Sequence, residues 1–463
     1  MSLDAATAGR RVGVIFPTGM LGAGFTPEAL KRGVELGATA ITIDGGSTDS
    51  GPHYLGTGTA KTADEAVERD LRLLLVAAQE AQIPLVVSSC GTGGTDRGVD
   101  WVAGILAKVA AEEQLTPRVA KIYSELSVDS VVTAVEAGRV KPLAPSSELT
   151  VATVRSCEHI VGLMGHEPIV AALRAGADVV LAGRATDTSL VASIALMHGL
   201  PAGPAWHAAK VAECGGQCTV DPRRGGVYVE VDDGGFTIEP LDRDNACTPT
   251  SVAAHLLYEN ADPFRMREPT GFLDTSSATY TALDDRRVRV EGSLFDAAQH
   301  TIKVEGSAVA GYETLSLVGI RDPEVLDQID VWVESLQGYL VDRVRAVLGL
   351  EPETDYQFQV RCYGHNALLG DLEPDTGPPK EVGVLLNVRA PGQATATAIS
   401  KIANPGLLHM PIPGMSDLPS FAFLTSPAHV ERGAAYEFVL NHVIEVGSAT
   451  DLFRTIVEEP THV

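Results

Sequence analysis

Ala40-Ile41-Thr42-Ile43-Asp44-Gly45-Gly46-Ser47-Thr48-Asp49-Ser50-Gly51 runs from an apolar β-branched segment straight into glycines, hydroxyls and carboxylates. Apolar residues without in–out alternation mark a strand buried on both faces, as in a parallel sheet. The same arrangement recurs on either side. Residues 11–16 lead into Pro17-Thr18-Gly19, residues 85–89 into Cys90-Gly91-Thr92-Gly93-Gly94-Thr95-Asp96, and residues 179–182 into Gly183-Arg184-Ala185-Thr186-Asp187-Thr188. Residues 119–123 and 150–155 read as further strands of this kind. Between them lie amphipathic stretches at 26–36, 63–81, 101–113 and 167–175, the first opened by the N-cap pair Thr26-Pro27. Strands alternating with helices predict an α/β domain built on a parallel sheet with right-handed crossovers. Six units fall short of an eight-unit barrel, so an open, Rossmann-like sheet is expected.

Near Gly225 the rhythm changes. Residues 227–231 and 236–238, joined by Asp233-Gly234-Gly235, read as a hairpin. Later strands are expected at 287–291, 301–309, 315–318, 357–362, 382–388 and 437–446, with helical patterns only at 323–348 and 395–403. Grouped strands with few helices predict an antiparallel α+β domain. The expected division is therefore residues 1–222, a parallel α/β domain, and 223–463, the antiparallel one.

The chain has 463 residues, with Lys+Arg 35 against Asp+Glu 60 and a formal charge of −25. Such a surface repels phosphate backbones and anionic lipid, so neither nucleic acid nor a membrane is expected as a partner. No apolar run approaches the ~18–20 residues of a spanning helix. The opening Gly9-Arg10-Arg11 resembles a secretion signal only superficially, because Pro17 and the glycines after it interrupt any apolar helix. A disordered leader before a first strand is the expectation. Six scattered cysteines suit reduced thiols in a cytoplasm.

In an open parallel sheet, ligands bind beyond the carboxyl ends of the strands. Four such ends here carry Gly with Ser, Thr and Asp, a composition suited to an anion-binding nest. The candidate ligand-binding residues are Thr18, Gly19, Gly45, Gly46, Ser47, Thr48, Ser89, Cys90, Gly91, Thr92, Gly183 and Thr186. Any one of these loops alone reads as a capped turn, and it is their convergence that points to a site. Candidate catalytic acids and bases are Asp44, Asp49, Asp96 and Asp187, with Glu158 beside them. Arg184 is read equally as a bidentate clamp on a substrate carboxylate and as a brace for Asp187. Cys90 reads as a small apolar filler ahead of a nucleophile, since no histidine partner is nameable. Cys157-Glu158-His159 and His166-Glu167 place ligand-type residues near a strand end without the spacing of a metal site. Cys214-x-x-x-Cys218 with Cys247 lacks a second pair, so no zinc is expected. A weakly held Mg²⁺ on Asp44, Asp49 or Asp187 stays open as a cofactor.

Three stretches resemble the acyclic terpene utilisation AtuA family: residues 44–52, residues 182–188, and Cys247-Thr248-Pro249-Thr250-Ser251-Val252-Ala253-Ala254-His255. Tyr436-Glu437-Phe438-Val439-Leu440-Asn441-His442 is similar to the family's closing segment, and the resemblance runs from about Val12 to Phe453. The resemblance implies catabolism of branched or terpenoid acids as CoA thioesters. It also implies a small partner subunit, since some relatives carry an extra C-terminal domain and others a separately encoded one. CoA would then enter as part of the substrate, and a homo-oligomer is expected on general grounds.

The leading expectation is an enzyme acting on a branched-chain or terpenoid carboxylic acid or its CoA thioester, as a lyase or hydratase. Such chemistry needs an acid–base pair and donors for a developing enolate. The alternatives are an ATP/Mg²⁺-dependent ligase or kinase using the loop from Asp44 to Ser50, and a non-catalytic acyl-binding subunit. The loop resembles the phosphate loop of sugar-kinase-type ATPases but follows the second strand of a parallel unit, which is the wrong setting.

Overall fold

A computed structural model describes residues 10–375 and 377–458. The leader expected before Arg10 lies outside the described residues. The chain forms two compact units: one combines the residues up to Ala308 with those from Phe438 onward, and the other is Val309–Glu437.

The first unit is built on a ten-stranded sheet. Its centre consists of β1 (Arg11–Phe16), β2 (Ala40–Asp44), β3 (Leu85–Ser88) and β4 (Val119–Tyr123). The short β5 (Val140–Pro142) and β6 (Cys157–Gly162) lie outside that sheet, and β7 (Val179–Ala182) inserts between β3 and β4. The pairs β1–β2, β2–β3, β3–β7 and β7–β4 are all parallel. All residues of β2, β3 and β7 are buried, as their unbroken apolar runs require. Full burial of a side chain such as Ile41 or Ile43 contributes about 1.5–3 kcal/mol.

The sheet is nevertheless mixed. β8 (Val227–Asp232) pairs antiparallel with β1 and with β9 (Gly235–Pro240), forming the expected hairpin. The change of rhythm near residue 222 thus falls inside one sheet, because the hairpin's first strand continues the parallel core. Beyond it come β10 (Arg265–Glu268), β11 (Gly271–Asp274), β12 (Thr279–Ala282), β13 (Val288–Glu291) and β14 (Leu294–Ala297). β13 and β12 extend the large sheet, while β10, β11 and β14 form a separate three-stranded one. A wholly parallel N-terminal sheet is therefore corrected to a mixed α/β sheet with antiparallel edges.

One predicted strand is absent. Residues 150–155 enter the helix Val151–Ser156, whose N-cap Thr150 accepts the amide of Thr153 at 3.1 Å. The strand, β6, starts just after it. It pairs antiparallel with residues 304–308 of β15 (Thr301–Ile320), the long strand along which the chain passes into the second unit.

In the second unit, residues 312–320 of β15 pair with β17 (Val382–Ala390), which also pairs with β16 (Gln357–Tyr363); β18 (Ala422–Phe423) adds a short contact. The helix Ile329–Leu348 buries Trp332, Leu336, Leu340 and Val344 in this unit's core. The chain returns through β19 (His429–Glu445), whose later residues pair with β5, and β20 (Arg454–Glu458) closes the large sheet against β4.

Helices cover both faces of the large sheet. Pro27–Glu35, Asp64–Ala81 and Asp96–Glu112 pack over Ile15, Ile41, Ile43 and Val87, while Glu167–Arg174, Ser189–Met197 and Ala202–Ala212 pack over Val14, Phe16, Val86 and Val180. β3 therefore sends its following helix to one face and its neighbour β7 sends its own to the other. That divergence is a topological switch point, where open α/β sheets leave a crevice at the carboxyl ends.

Candidate functional site

The loops after β2, β3 and β7 meet at this switch point, and they meet closely. A Cβ at Gly94 would lie 2.3 Å from the Arg184 amide nitrogen, and one at Gly183 would lie 2.4 Å from Ser124 Oγ. Gly45, Gly46 and Gly91 likewise pack against the backbone at Ser88, Thr92 and Gly98. The Gly45 amide donates to the Ser88 carbonyl at 2.7 Å, so it is not turned toward a ligand. These glycines let the loops close on one another. Ser89 and Thr92 carry positive φ values of 46° and 72°, which non-glycine residues hold only where the surroundings impose them.

Arg184 stands at the centre. Its Nε donates to Glu305 Oε2 at 3.3 Å, Nη2 to Thr48 Oγ1 at 3.3 Å, and Nη1 to Ser89 Oγ at 3.3 Å and Asp187 Oδ1 at 3.5 Å. Thr48 Oγ1 donates in turn to Glu305 Oε2 at 2.7 Å, and Lys303 Nζ donates to the other Glu305 oxygen at 2.8 Å. Burial opposes charge on Glu305, but Arg184, Lys303 and the Thr48 hydroxyl outweigh it and hold the carboxyl at about 2. Arg184 is held above its ordinary value despite its burial, because Glu305, Asp187 and Asp44 surround it.

Asp44 lies beside this group at the end of β2, buried, with Ser88 Oγ donating to it at 2.9 Å. Burial first, and the charge of Asp187 second, push its carboxyl well up, against the pull of Arg184. Asp187 is also raised, by burial, although Arg184 and Lys210 oppose it. Its side chain keeps 30% exposure, against 7% for that of Arg184, so Asp187 is the member solvent can reach.

Beyond Asp187 the same crevice holds a second polar group. Lys210 pairs with the buried Glu213 at 2.5 Å, and Thr188 donates to the buried Glu268 at 2.9 Å. Burial raises Glu213 to about 8 and Glu268 to about 7, with Lys210 only partly offsetting it. Cys214 follows Glu213, and its carbonyl packs against Gly19 beside the buried Thr18.

Other expected residues sit elsewhere or act structurally. Asp49 is exposed on the turn Thr48–Ser50, where Ser47 accepts its amide. Asp96 exchanges hydrogen bonds with Glu125 and accepts from Arg454 at 3.3 Å. Cys90 is fully buried in the core, and burial pushes its thiol far up, so it is a filler. Thr92 Oγ1 accepts the Lys61 amide at 2.9 Å, and Thr186 accepts from Thr188 at 3.4 Å. His159 turns to Glu125 at 2.6 Å, and the exposed Glu158 points away from it on β6.

Sequence reasoning missed Glu305, Lys303, Lys210, Glu213, His255 and Glu268. The signals present were Cys214, set aside for want of a second cysteine pair, and His255, which ends one of the stretches quoted above.

A match to the family model for acyclic terpene utilisation family protein AtuA covers residues 57–430. No curated protein matches the chain, and no solved structure does. The match spans both units and most of the residues gathered at the switch point, and on that basis the chain belongs to the AtuA family.

Proposed function

We propose that this protein is a catabolic enzyme acting on a branched-chain or terpenoid carboxylic acid or its CoA thioester, by addition to or elimination from the carbon chain. Membership of a family named for acyclic terpene utilisation fits a catabolic role. The observation that carries the chemistry is the Asp44–Asp187 pair beside Arg184. Two carboxyls raised above their ordinary range around one cation hold a proton where isolated carboxylates would not. Asp187, reachable and flanked by Arg184 and Lys210, is the residue proposed to give and take the substrate proton. Asp44 and Arg184 position it and set its affinity. Lys210 is the donor proposed for a developing enolate oxygen.

The CoA part of the reading rests on a separate groove. A cavity of about 910 Å³ is lined by Lys31, Arg32, Arg69, Arg223, Arg224 and Arg243, against the acids Glu28, Glu35 and Asp242. Five of these cations are ion-paired, Arg32 with Glu239, Arg69 with Asp70, Arg223 with Asp221, Arg224 with Asp242 and Arg243 with Glu35, so a nucleotide phosphate there would compete with those carboxylates for the guanidiniums. The groove's loop Arg223–Gly225 packs on Gly216, two residues beyond Cys214.

Thermal shift tests the reading with acyl-CoAs, free branched acids and di-acids, and ATP with Mg²⁺. A ligand at ~100 times its Kd adds about 2.7 kcal/mol. Stabilisation by an acyl-CoA, weakened in Arg243→Glu and by added salt, with turnover lost in Asp187→Asn, is the expected result. Response to ATP–Mg²⁺ alone would replace this reading with a ligase or kinase. Binding without turnover in any reaction mixture would make the chain an acyl-binding subunit.

A further inference from the structure

Glu213, Cys214 and His255 come from two segments distant in sequence. The first two follow the helix Ala202–Ala212, Glu213 as its C-cap and Cys214 just before the turn Gly215–Cys218, and the third ends Pro249–His255, which packs on that turn. Their ligand atoms all lie within 4.8 Å of one another. Donors around one ion at ~2.0–2.3 Å stand roughly 3.5 Å apart, so side-chain convergence of about 1 Å completes the shell.

A second observation is independent of that spacing. His255 is 5% exposed, yet its Nε2 has no hydrogen-bond partner. A buried imidazole nitrogen left unsatisfied is costly, and a bound cation removes the cost. Lys210 grips Glu213 Oε1 and so orients the carboxylate, as supports of metal ligands do.

We infer that Glu213, Cys214 and His255 form a binding site for a divalent transition-metal ion of the zinc class, open at its fourth position toward Asp187. Thiolate, imidazole and carboxylate together select such an ion over Mg²⁺ or Ca²⁺, which take oxygen ligands. Three protein ligands with a vacant position are the pattern of reactive rather than structural zinc sites. The inference stands whatever the substrate, since it concerns the ion alone.

Cobalt titration of the full-length, metal-stripped protein tests it. Co²⁺ should give a sulfur-to-cobalt charge-transfer band with the visible absorption of a tetrahedral centre, both removed by Zn²⁺. Cys214→Ser should abolish the band, whereas Cys157→Ser should leave it. Glu213→Gln and His255→Asn should each weaken Co²⁺ binding at least ~10-fold. Circular dichroism confirms folding, and Glu213→Gln, nearly isosteric, keeps the test valid if His255→Asn does not fold. No band in the parent protein at saturating Co²⁺ overturns the site. So does a band lost in Cys214→Ser but untouched by Glu213→Gln, which would mean a lone thiolate. Failure of the acyl-CoA reading would leave these spectra unchanged.

Discussion

Arg184 binds several acceptors at once through its side chain, none closer than 3.3 Å, and that sharing defines its role. The arrangement favours the brace over the clamp, because Glu305 and Asp187 already occupy the guanidinium. Arg184→Ala should therefore lower stability by about 3–5 kcal/mol in urea unfolding, since it strands buried carboxyls without a counter-charge. A loss below about 1 kcal/mol would mean that the network is not stabilising. Glu305 gives the pH dependence at this scale. Its folded value of about 2 lies below its ordinary 4.5, so its contribution is present above pH ~4.5 and is lost as pH falls toward 2. Glu305→Gln should flatten that part of a stability–pH curve. Asp44, Thr48, Ser89, Arg184 and Asp187 were legible because each follows a strand with an unmistakable apolar run. Glu305 was not, because it contacts Thr48 from 257 positions away and sits within a strand that carries no motif.

Among the elements, the core strands were read correctly because burial on both faces leaves an unbroken apolar run that ends abruptly in glycines and hydroxyls. Residues 150–155 failed for the complementary reason. Val151, Thr153 and Val154 favour a strand by propensity, but the Thr150 cap and the packing of Val154 make a short helix. Parallel and antiparallel neighbours are also indistinguishable from a buried strand's own sequence, so β8 beside β1 could not be foreseen. One helix end offers a clean test. Asp64–Ala81 closes on Gln82, which is exposed at φ 54° in the left-handed region. Gln82→Gly should raise stability by about 0.5–1 kcal/mol, measured by thermal or urea unfolding. An unchanged or lowered midpoint would show that the Gln82 side chain compensates for its strain.

For the molecule as a whole, buried histidines set part of the response to acid. His207 is fully buried between Ser293 and Tyr280, and burial alone lowers it to about 3; His166 falls to about 4 by burial and by the nearby His300. Both are below the ordinary 6.5. The unfolded chain therefore binds their protons first, so each costs stability as pH drops from ~6.5 toward 4, while Glu213 and Glu268, raised to about 8 and about 7, act with the opposite sign in that window. His207→Gln should make stability fall less, or rise more, as pH drops through that window, and an unchanged pH profile would contradict the assignment. Among the described residues, no helix is long and apolar enough to cross a membrane. The two-unit organisation also orders events during synthesis. The first unit is made of two stretches separated by Val309–Glu437, and β20, which covers the open edge of β4, lies in the later one. His442, from the same stretch, hydrogen-bonds the Ser147 carbonyl at 2.9 Å. A nascent chain emerging from the ribosome thus has the whole second unit available before the first can be sealed. Until then β4 presents an unpaired edge, the kind of surface that chaperones shield.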